Sequence, residues 1–259
     1  MKRREFLSAG GACLLLPRLV HAQSGVEVAR FSALRAGDPL PAWLAPYVFE
    51  NQPKHTQFSL VEDEGRVVLR AQARASTSGL IREMRVDPSA HPILGWRWKV
   101  MNLIANSNLA TKQGDDFPAR LYVTFELDLD TLPAGERLKL RIGRFLYGPK
   151  LPLAALCYVW DTRAAVGTIV PNAYTDRVRM VVVESGPARI GRWVDYERNV
   201  LEDYRRAFGA DPGAGGTGGV DAPSVPMVNG VIFSSDTDNT GETAVALFGD
   251  TEFRPRPPS

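Results

Sequence analysis

The chain has 259 residues, with 31 Lys and Arg against 29 Asp and Glu and a formal net charge of +2. Lys2, Arg3, Arg4 and Arg18 stand against Glu5 at the start, so residues 23–259 hold 27 basic and 28 acidic residues, a net of −1. That balance lacks the basic surplus nucleic-acid binding needs, and no later apolar run reaches the about 20 residues of a membrane span.

The first element is an export signal. Lys2-Arg3-Arg4-Glu5-Phe6-Leu7 pairs arginines ahead of Phe-Leu, the mark of the twin-arginine route. Leu7 to Leu16 is apolar but too short to cross a bilayer. Val20-His21-Ala22 offers a small-residue cleavage site before Gln23. Residues 1–22 are therefore expected to be a twin-arginine signal peptide, residues 23–253 a single domain acting in the periplasm, and residues 254–259 a disordered tail. Cys13 leaves with the signal, and Cys157 then has no internal partner for a disulfide. Inside the apolar run Leu153 to Trp160 it reads as a buried, inert thiol.

Short strands separated by turn residues follow. They are expected at Gln57 to Glu62, Arg66 to Gln72, Leu80 to Val86, Leu94 to Met101 and Arg120 to Leu127. Further strands are expected at Leu153 to Trp160, Arg177 to Glu184, Val228 to Ser235 and Thr243 to Phe248. Alternation is plain where Val67, Leu69 and Ala71 interleave with Arg66 and Arg70. It recurs where Leu121, Val123 and Phe125 interleave with Arg120, Tyr122 and Thr124. Successive side chains point to opposite sheet faces, so each such strand has an apolar and a polar face. Two sheets stacked on apolar faces make a sandwich. Trp193, Tyr196, Val200, Leu201, Tyr204 and Phe208 recur at three- and four-residue spacing, which predicts an amphipathic helix over Trp193 to Phe208 with Gly209 as its stop. A second helical piece is expected within Thr131 to Phe145. The Gly- and Pro-rich stretch Gly209 to Pro226 reads as a surface loop.

Four stretches stand out in order: Leu94-Gly95-Trp96-Arg97-Trp98-Lys99-Val100, Gly114-Asp115-Asp116-Phe117-Pro118-Ala119-Arg120-Leu121-Tyr122-Val123, Asp236-Thr237-Asp238-Asn239-Thr240-Gly241-Glu242 and Gly249-Asp250-Thr251-Glu252-Phe253. Together they resemble the bacterial domain-of-unknown-function family 3047, over about Phe31 to Phe253. The resemblance implies an all-β, jelly-roll-like β-sandwich similar to carbohydrate-binding modules and lectin-like folds. It brings no established activity, and a fold does not fix a function.

The residues themselves suggest a binding surface. Trp96 and Trp98 share one strand face, as sugar-stacking platform or as core; Arg97 and Lys99 share the other. Arg82 is in phase with Leu80, Met84 and Val86, and an inward charge needs a partner, water or a ligand. Asp115 and Asp116 precede Arg120 and Tyr122 and suit hydroxyl binding, a hard cation or a turn. The expected ligand-binding set is Arg82, Arg97, Asp115, Asp116, Arg120 and Tyr122, on one polar sheet face edged by the Asp236 to Glu242 loop. That loop starts like an EF-hand but has Leu247 where the twelfth-position Glu belongs. It reads as a hairpin turn between the last two strands or as a structural calcium site of Asp236, Asp238 and Asp250. His55 and His91 lack metal spacing, and no nucleophile elbow or phosphate loop is present. The expected function is non-enzymatic binding of a glycan or other polar small molecule. The alternatives are a carbohydrate hydrolase or lyase using paired carboxylates, and a scaffold that binds an envelope protein through the Trp193 to Phe208 helix.

Overall fold

A computed structural model describes residues 25–49, 52–127, 154–209 and 225–257, with isolated positions 134, 135 and 137. The expected signal peptide, nearly all of the second helical piece, and most of the Gly-rich loop lie outside these residues.

The chain forms two sheets. The first holds β1 (Val26–Ala29), β3 (Gln57–Asp63), β4 (Arg66–Arg74), β6 (Ile93–Val100), β11 (Val194–Asn199) and β13 (Thr243–Arg254). Its order is β11-β6-β13-β4-β3, with β1 also on β13. The second holds β2 (Ala45–Tyr47), β5 (Thr77–Val86), β7 (Arg120–Phe125), β8 (Ala155–Asp161), β9 (Ile169–Asn172), β10 (Thr175–Ser185) and β12 (Val228–Asp236). Its order is β2-β5-β12-β7-β8-β10-β9. All pairs are antiparallel except β8 with β10. Among the described residues the fold is an all-β, jelly-roll-like sandwich flanked by the helix α1 (Val200–Phe208).

The apolar rows meet between the sheets. Leu69 and Ala71 of β4, Trp96 and Trp98 of β6, and Phe248 of β13 face Leu121 and Val123 of β7, Tyr158 and Trp160 of β8, and Phe233 of β12 in one core. Trp96 and Trp98 are therefore core residues, at 3% and 0% exposure. Here alternation predicts the structure directly.

It does not predict what covers the outer face of the second sheet. Phe117, Ala155, Cys157, Val159, Val178, Met180 and Val182 form a smaller apolar cluster there, joined by Leu109 and Tyr122. Every residue of β8 is thus buried, which is why its sequence is a continuous apolar run. Cys157 sits in this cluster, and burial pushes its thiol up to about 12. It is not a thiolate at neutral pH.

Two expectations about elements are corrected. The helix predicted over Trp193 to Phe208 begins only at Val200. Val194 to Asn199 instead extend the first sheet, pairing Val194 with Trp98 and Tyr196 with Trp96. The segment has period two as well as helical spacing, and the open edge of β6 selects the former. Tyr196 stacks on Trp96 with centroids 5.1 Å apart. Asn199 then caps α1, its side chain accepting from the Glu202 amide at 3.2 Å. The apolar face of α1 is spent inside the molecule: Val200 and Tyr204 are buried in the core, and Tyr158 donates to Asp203 at 2.9 Å.

The second correction concerns Asp236 to Glu242. This segment joins β12 of one sheet to β13 of the other, so it is not a hairpin. β13 itself runs through Arg254, and Arg256 donates to Glu202 at 2.8 Å.

Candidate functional site

β7 and β12 pair antiparallel, with Arg120 opposite Ser234. That pairing brings the start of β7 beside the end of β12, so the Asp115-Asp116 turn meets the Asp236 to Thr240 turn. Asp236 accepts from Arg120 Nε at 2.8 Å and from Arg120 Nη2 at 2.6 Å on its second oxygen. It also accepts from the Phe117 amide at 3.0 Å. Arg120 donates in addition to the Asp115 carbonyl and, at 3.1 Å, to the Tyr122 hydroxyl, while its guanidinium lies 4.6 Å over Phe117. Arg120 is 1% exposed and Asp116 is 0% exposed.

Asp116 is held by neutral donors only: the Thr240 amide at 2.6 Å, and the Asn239 amide and side chain at 3.3 and 3.1 Å. Asp238 accepts from Gln52 at 3.1 Å and Asn239 at 3.4 Å. Asp115 accepts from Asn172 at 2.9 Å and lies 3.4 Å from Arg120. The exposed Tyr174 donates to Asn239 at 2.6 Å and carries the Lys112 ammonium 5.1 Å from its ring centre. Four carboxylates therefore gather at one buried guanidinium that reaches only Asp236 and Asp115, behind a rim of Gln52, Asn172, Tyr174 and Asn239.

The electrostatics follow from that imbalance. Burial, then the charges of Asp116 and Asp115, push the Asp238 carboxyl above its usual range. Burial is also the largest influence on Asp236 and outweighs the opposing pull of Arg120, so its carboxyl is raised too. The Asp116, Asp236 and Asp238 oxygens lie within 4.8 Å of one another. One Ca²⁺ with ligand bonds of about 2.3–2.6 Å can span that separation, and its charge would offset what Arg120 leaves unbalanced.

The expected residues thus divide. Asp115, Asp116, Arg120, Tyr122, Asp236 and Asp238 converge. Arg97 does not join them, because it lies on the outer face of the other sheet, 3.4 Å from Asp195 and 4.8 Å over Trp193. Arg82 stays in the inward row of β5, stacked on Trp43 at 5.0 Å. Asp250 is also apart: after the register shift in β13 it binds the amide and hydroxyl of Ser32 at 2.9 and 2.5 Å. Asp116 takes the third place expected of Asp250 in the acidic set. The open polar face expected around Arg120 and Tyr122 is not formed, since the outer apolar cluster covers it. Gln52, Asn172, Tyr174 and Asn239 were not legible as site residues; only Asn239 falls within a quoted motif.

The architecture is that of a two-sheet sandwich with a buried acidic cluster at one sheet end. Residues 42–252 match the family described as "Protein of unknown function (DUF3047)", and the chain belongs to that family. No curated protein matches it. Among solved structures it is similar to the family 11 carbohydrate-binding module of the cellulosomal cellulase Lic26A-Cel5E of Clostridium thermocellum. The identity is 8% and the TM-score 0.39, over 90% of this chain and 95% of that one. Among the described residues no helix is long and apolar enough to cross a membrane.

Proposed function

We propose that this protein is an exported, non-catalytic binding module for a glycan, which it takes at the acidic end of the second sheet with a calcium ion held by Asp116, Asp236 and Asp238. The observation that carries this reading is the surplus of carboxylates at the acidic end, where Arg120 reaches Asp236 and Asp115 but leaves Asp116 and Asp238 to neutral donors behind a polar, partly exposed rim. The calcium ion would tie the Asp115-Asp116 turn to the Asp236 to Thr240 turn and so fix the rim. Asn172, Asn239 and Gln52 supply amides for hydroxyl groups, and Tyr174 supplies an exposed ring against which an apolar sugar face can pack. Most specific sites combine such a surface with a few fixed polar groups.

Binding is favoured over hydrolysis by the same geometry. A glycosidase needs a free acid and a free carboxylate, whereas Asp236 already gives both oxygens to Arg120 and Asp116 gives its two to Asn239 and Thr240. The test is titration of the full mature chain with calcium, followed by a glycan array with and without calcium. Calcium is expected to bind once per chain and to strengthen glycan capture, and Asp238→Asn to weaken both. No calcium uptake together with no glycan captured across bacterial and plant polysaccharides overturns the reading. Turnover of a captured sugar, lost in Asp238→Asn, would replace it with the hydrolase.

A further inference from the structure

The turn between β9 and β10 borders the acidic end, and its base and tip are held differently. β9 is an edge strand of the second sheet and holds no buried residue. At the base, Ile169 and Val170 pack against the two apolar clusters, and the Gly167 and Val182 amides donate to the Val182 and Thr168 carbonyls at 2.8 and 3.0 Å. Towards the tip the ladder breaks. Thr175 pairs with Asn172 and Arg179 with Pro171, which leaves Asp176, Arg177 and Val178 out of the pairing. None of residues 171–176 is buried. Opening the tip therefore exposes little apolar surface, and such segments open separately from the global fold.

Side chains fasten the tip, and they reach both walls of the acidic site. Asn172 donates to the two Asp115 oxygens at 3.1 and 2.9 Å and accepts from the Tyr174 amide at 2.9 Å. Tyr174 donates its hydroxyl to Asn239 Oδ1 at 2.6 Å, with the Lys112 carbonyl 3.3 Å away. Asn239 in turn donates its side-chain amide to Asp116 Oδ1 at 3.1 Å. Asp115 stands on the wall ahead of β7 and Asn239 on the turn that leaves β12, so the tip ties one wall to the other. Those walls carry Asp116 on one side and Asp236 and Asp238 on the other, and like charges so placed push them apart. A cation among the three carboxylates removes that repulsion and fixes the spacing at which Asn172 and Tyr174 both reach their partners.

We propose that residues 171–176 form a lid at the acidic site, latched by Tyr174 on Asn239 and closed by the cation that Asp116, Asp236 and Asp238 hold. This rests on the calcium-dependent glycan reading above and gives its regulation. Tyr174 is the exposed ring offered to a sugar, so a closed lid fixes that platform and an open one withdraws it. Cation and glycan are thereby coupled through one hairpin tip, although they touch different atoms. The coupling is reciprocal: whatever the cation adds to lid closure, the closed lid adds to cation affinity.

The test follows amide hydrogen exchange of the full mature chain by mass spectrometry, in chelator and in saturating calcium, with calcium uptake measured by calorimetry on the same samples. Calcium is expected to slow exchange at residues 172–176 by about tenfold, a coupling of ordinary size. The exposed turn at Glu64 and Gly65 of the first sheet should not change. Tyr174→Phe keeps the ring and removes the latch. Calcium should still bind that variant, severalfold more weakly, and should hardly slow its tip. Asn172→Ala, which frees the tip from Asp115, should act in the same direction. Melting in chelator guards against misfolding: neither side chain is buried, so both variants should melt close to the parent. Calcium uptake with no change in exchange at the tip overturns the lid and spares the cation site. Slowing as large in Tyr174→Phe as in the parent also overturns it. No calcium uptake overturns the lid together with the cation in the reading it rests on, and a glycan still captured on the array would then keep the binding module.

Discussion

At the scale of single residues, Arg120 decides how the acidic end is held. It is the one cation buried among Asp115, Asp116 and Asp236, and it answers Asp236 with two hydrogen bonds. Removing one partner of a buried ion pair costs about 3–5 kcal/mol because the other charge is left uncompensated. For a domain of this size that corresponds to a fall of roughly 6–20 °C in melting temperature. Arg120→Gln is therefore expected to melt lower by that amount, with Asp236→Asn in the same chain restoring part of it. A loss of under a degree by calorimetry would show that the pair contributes little. Asp238 makes the opposite kind of contribution. Its carboxyl is raised by burial and by Asp116 and Asp115, so the folded chain favours the protonated form. The stability this group supplies is complete below the ordinary 3.8 and is lost as pH climbs through the raised value. Asp87, lowered by hydrogen bonds from Ser89, runs the other way and loses its contribution as pH falls below 3.8. In chelator, the protein should thus melt higher near about pH 5 than near about pH 7.5, and Asp238→Asn should reduce that difference. Melting that rises steadily from the lower to the higher pH rules this out. The sequence sets Asp115 and Asp116 beside Arg120, but it does not show that Asp116 binds Asn239 and Thr240 across the fold or that Asp115 reaches Asn172 of β9.

At the scale of elements, strands with one covered face were legible and the others were not. β4 and β7 alternate cleanly, and their apolar rows face the core. β8 is apolar throughout because both faces are covered, and nothing in Arg120 to Phe125 announces that its own polar face will be roofed by Phe117, Leu109 and Val178. The segment Trp193 to Phe208 carries two periodicities at once, and only the open edge of β6 decides between them. Short strands such as β1, β2 and β9 lack the length for a period to register. The junction of β11 and α1 gives a direct test, because Asn199 ends one and caps the other. Asn199→Ala should cost about 0.5–2 kcal/mol, read as a lower urea midpoint with an unchanged slope. Gly79 tests the sheet itself. A Cβ there would meet Ile232 Cγ2 at 2.6 Å and the Phe233 carbonyl at 3.1 Å, between strands that cannot move apart singly. Gly79→Ala is expected to cost about 1–3 kcal/mol as overpacking. A variant as stable as the parent in urea would mean that β5 and β12 yield more readily than their pairing implies.

At the scale of the whole molecule, the sandwich followed from strand pattern, whereas the site depended on topology. Arg97 and Arg120 carry similar signals in sequence, each alternating with apolar residues, yet β6 and β7 belong to different sheets, and the two arginines point away from one another. The Asp236 to Thr240 turn links the sheets, so whatever fixes that turn acts on both halves of the sandwich. A calcium ion held by Asp116, Asp236 and Asp238 would bind the folded chain and not the unfolded one, in which a long stretch of chain separates Asp116 from the other two. Stability then rises by RT ln(1 + [L]/Kd), about 2.7 kcal/mol at a hundredfold excess over Kd. For a domain of this size that is a rise of roughly 5–11 °C in melting temperature. The rise should continue with the logarithm of calcium concentration after the site is full, since linkage has no plateau while the unfolded chain stays unliganded. Magnesium should give a smaller shift, because it sheds water reluctantly and demands near-octahedral geometry. Asp116→Asn and Asp238→Asn should each flatten the calcium dependence, whereas Asp250→Asn should preserve it, since Asp250 lies on β13 of the first sheet and is bound to Ser32. A melting temperature indifferent to calcium and magnesium alike would leave the carboxylates as a network balanced by Arg120 and hydrogen bonds alone.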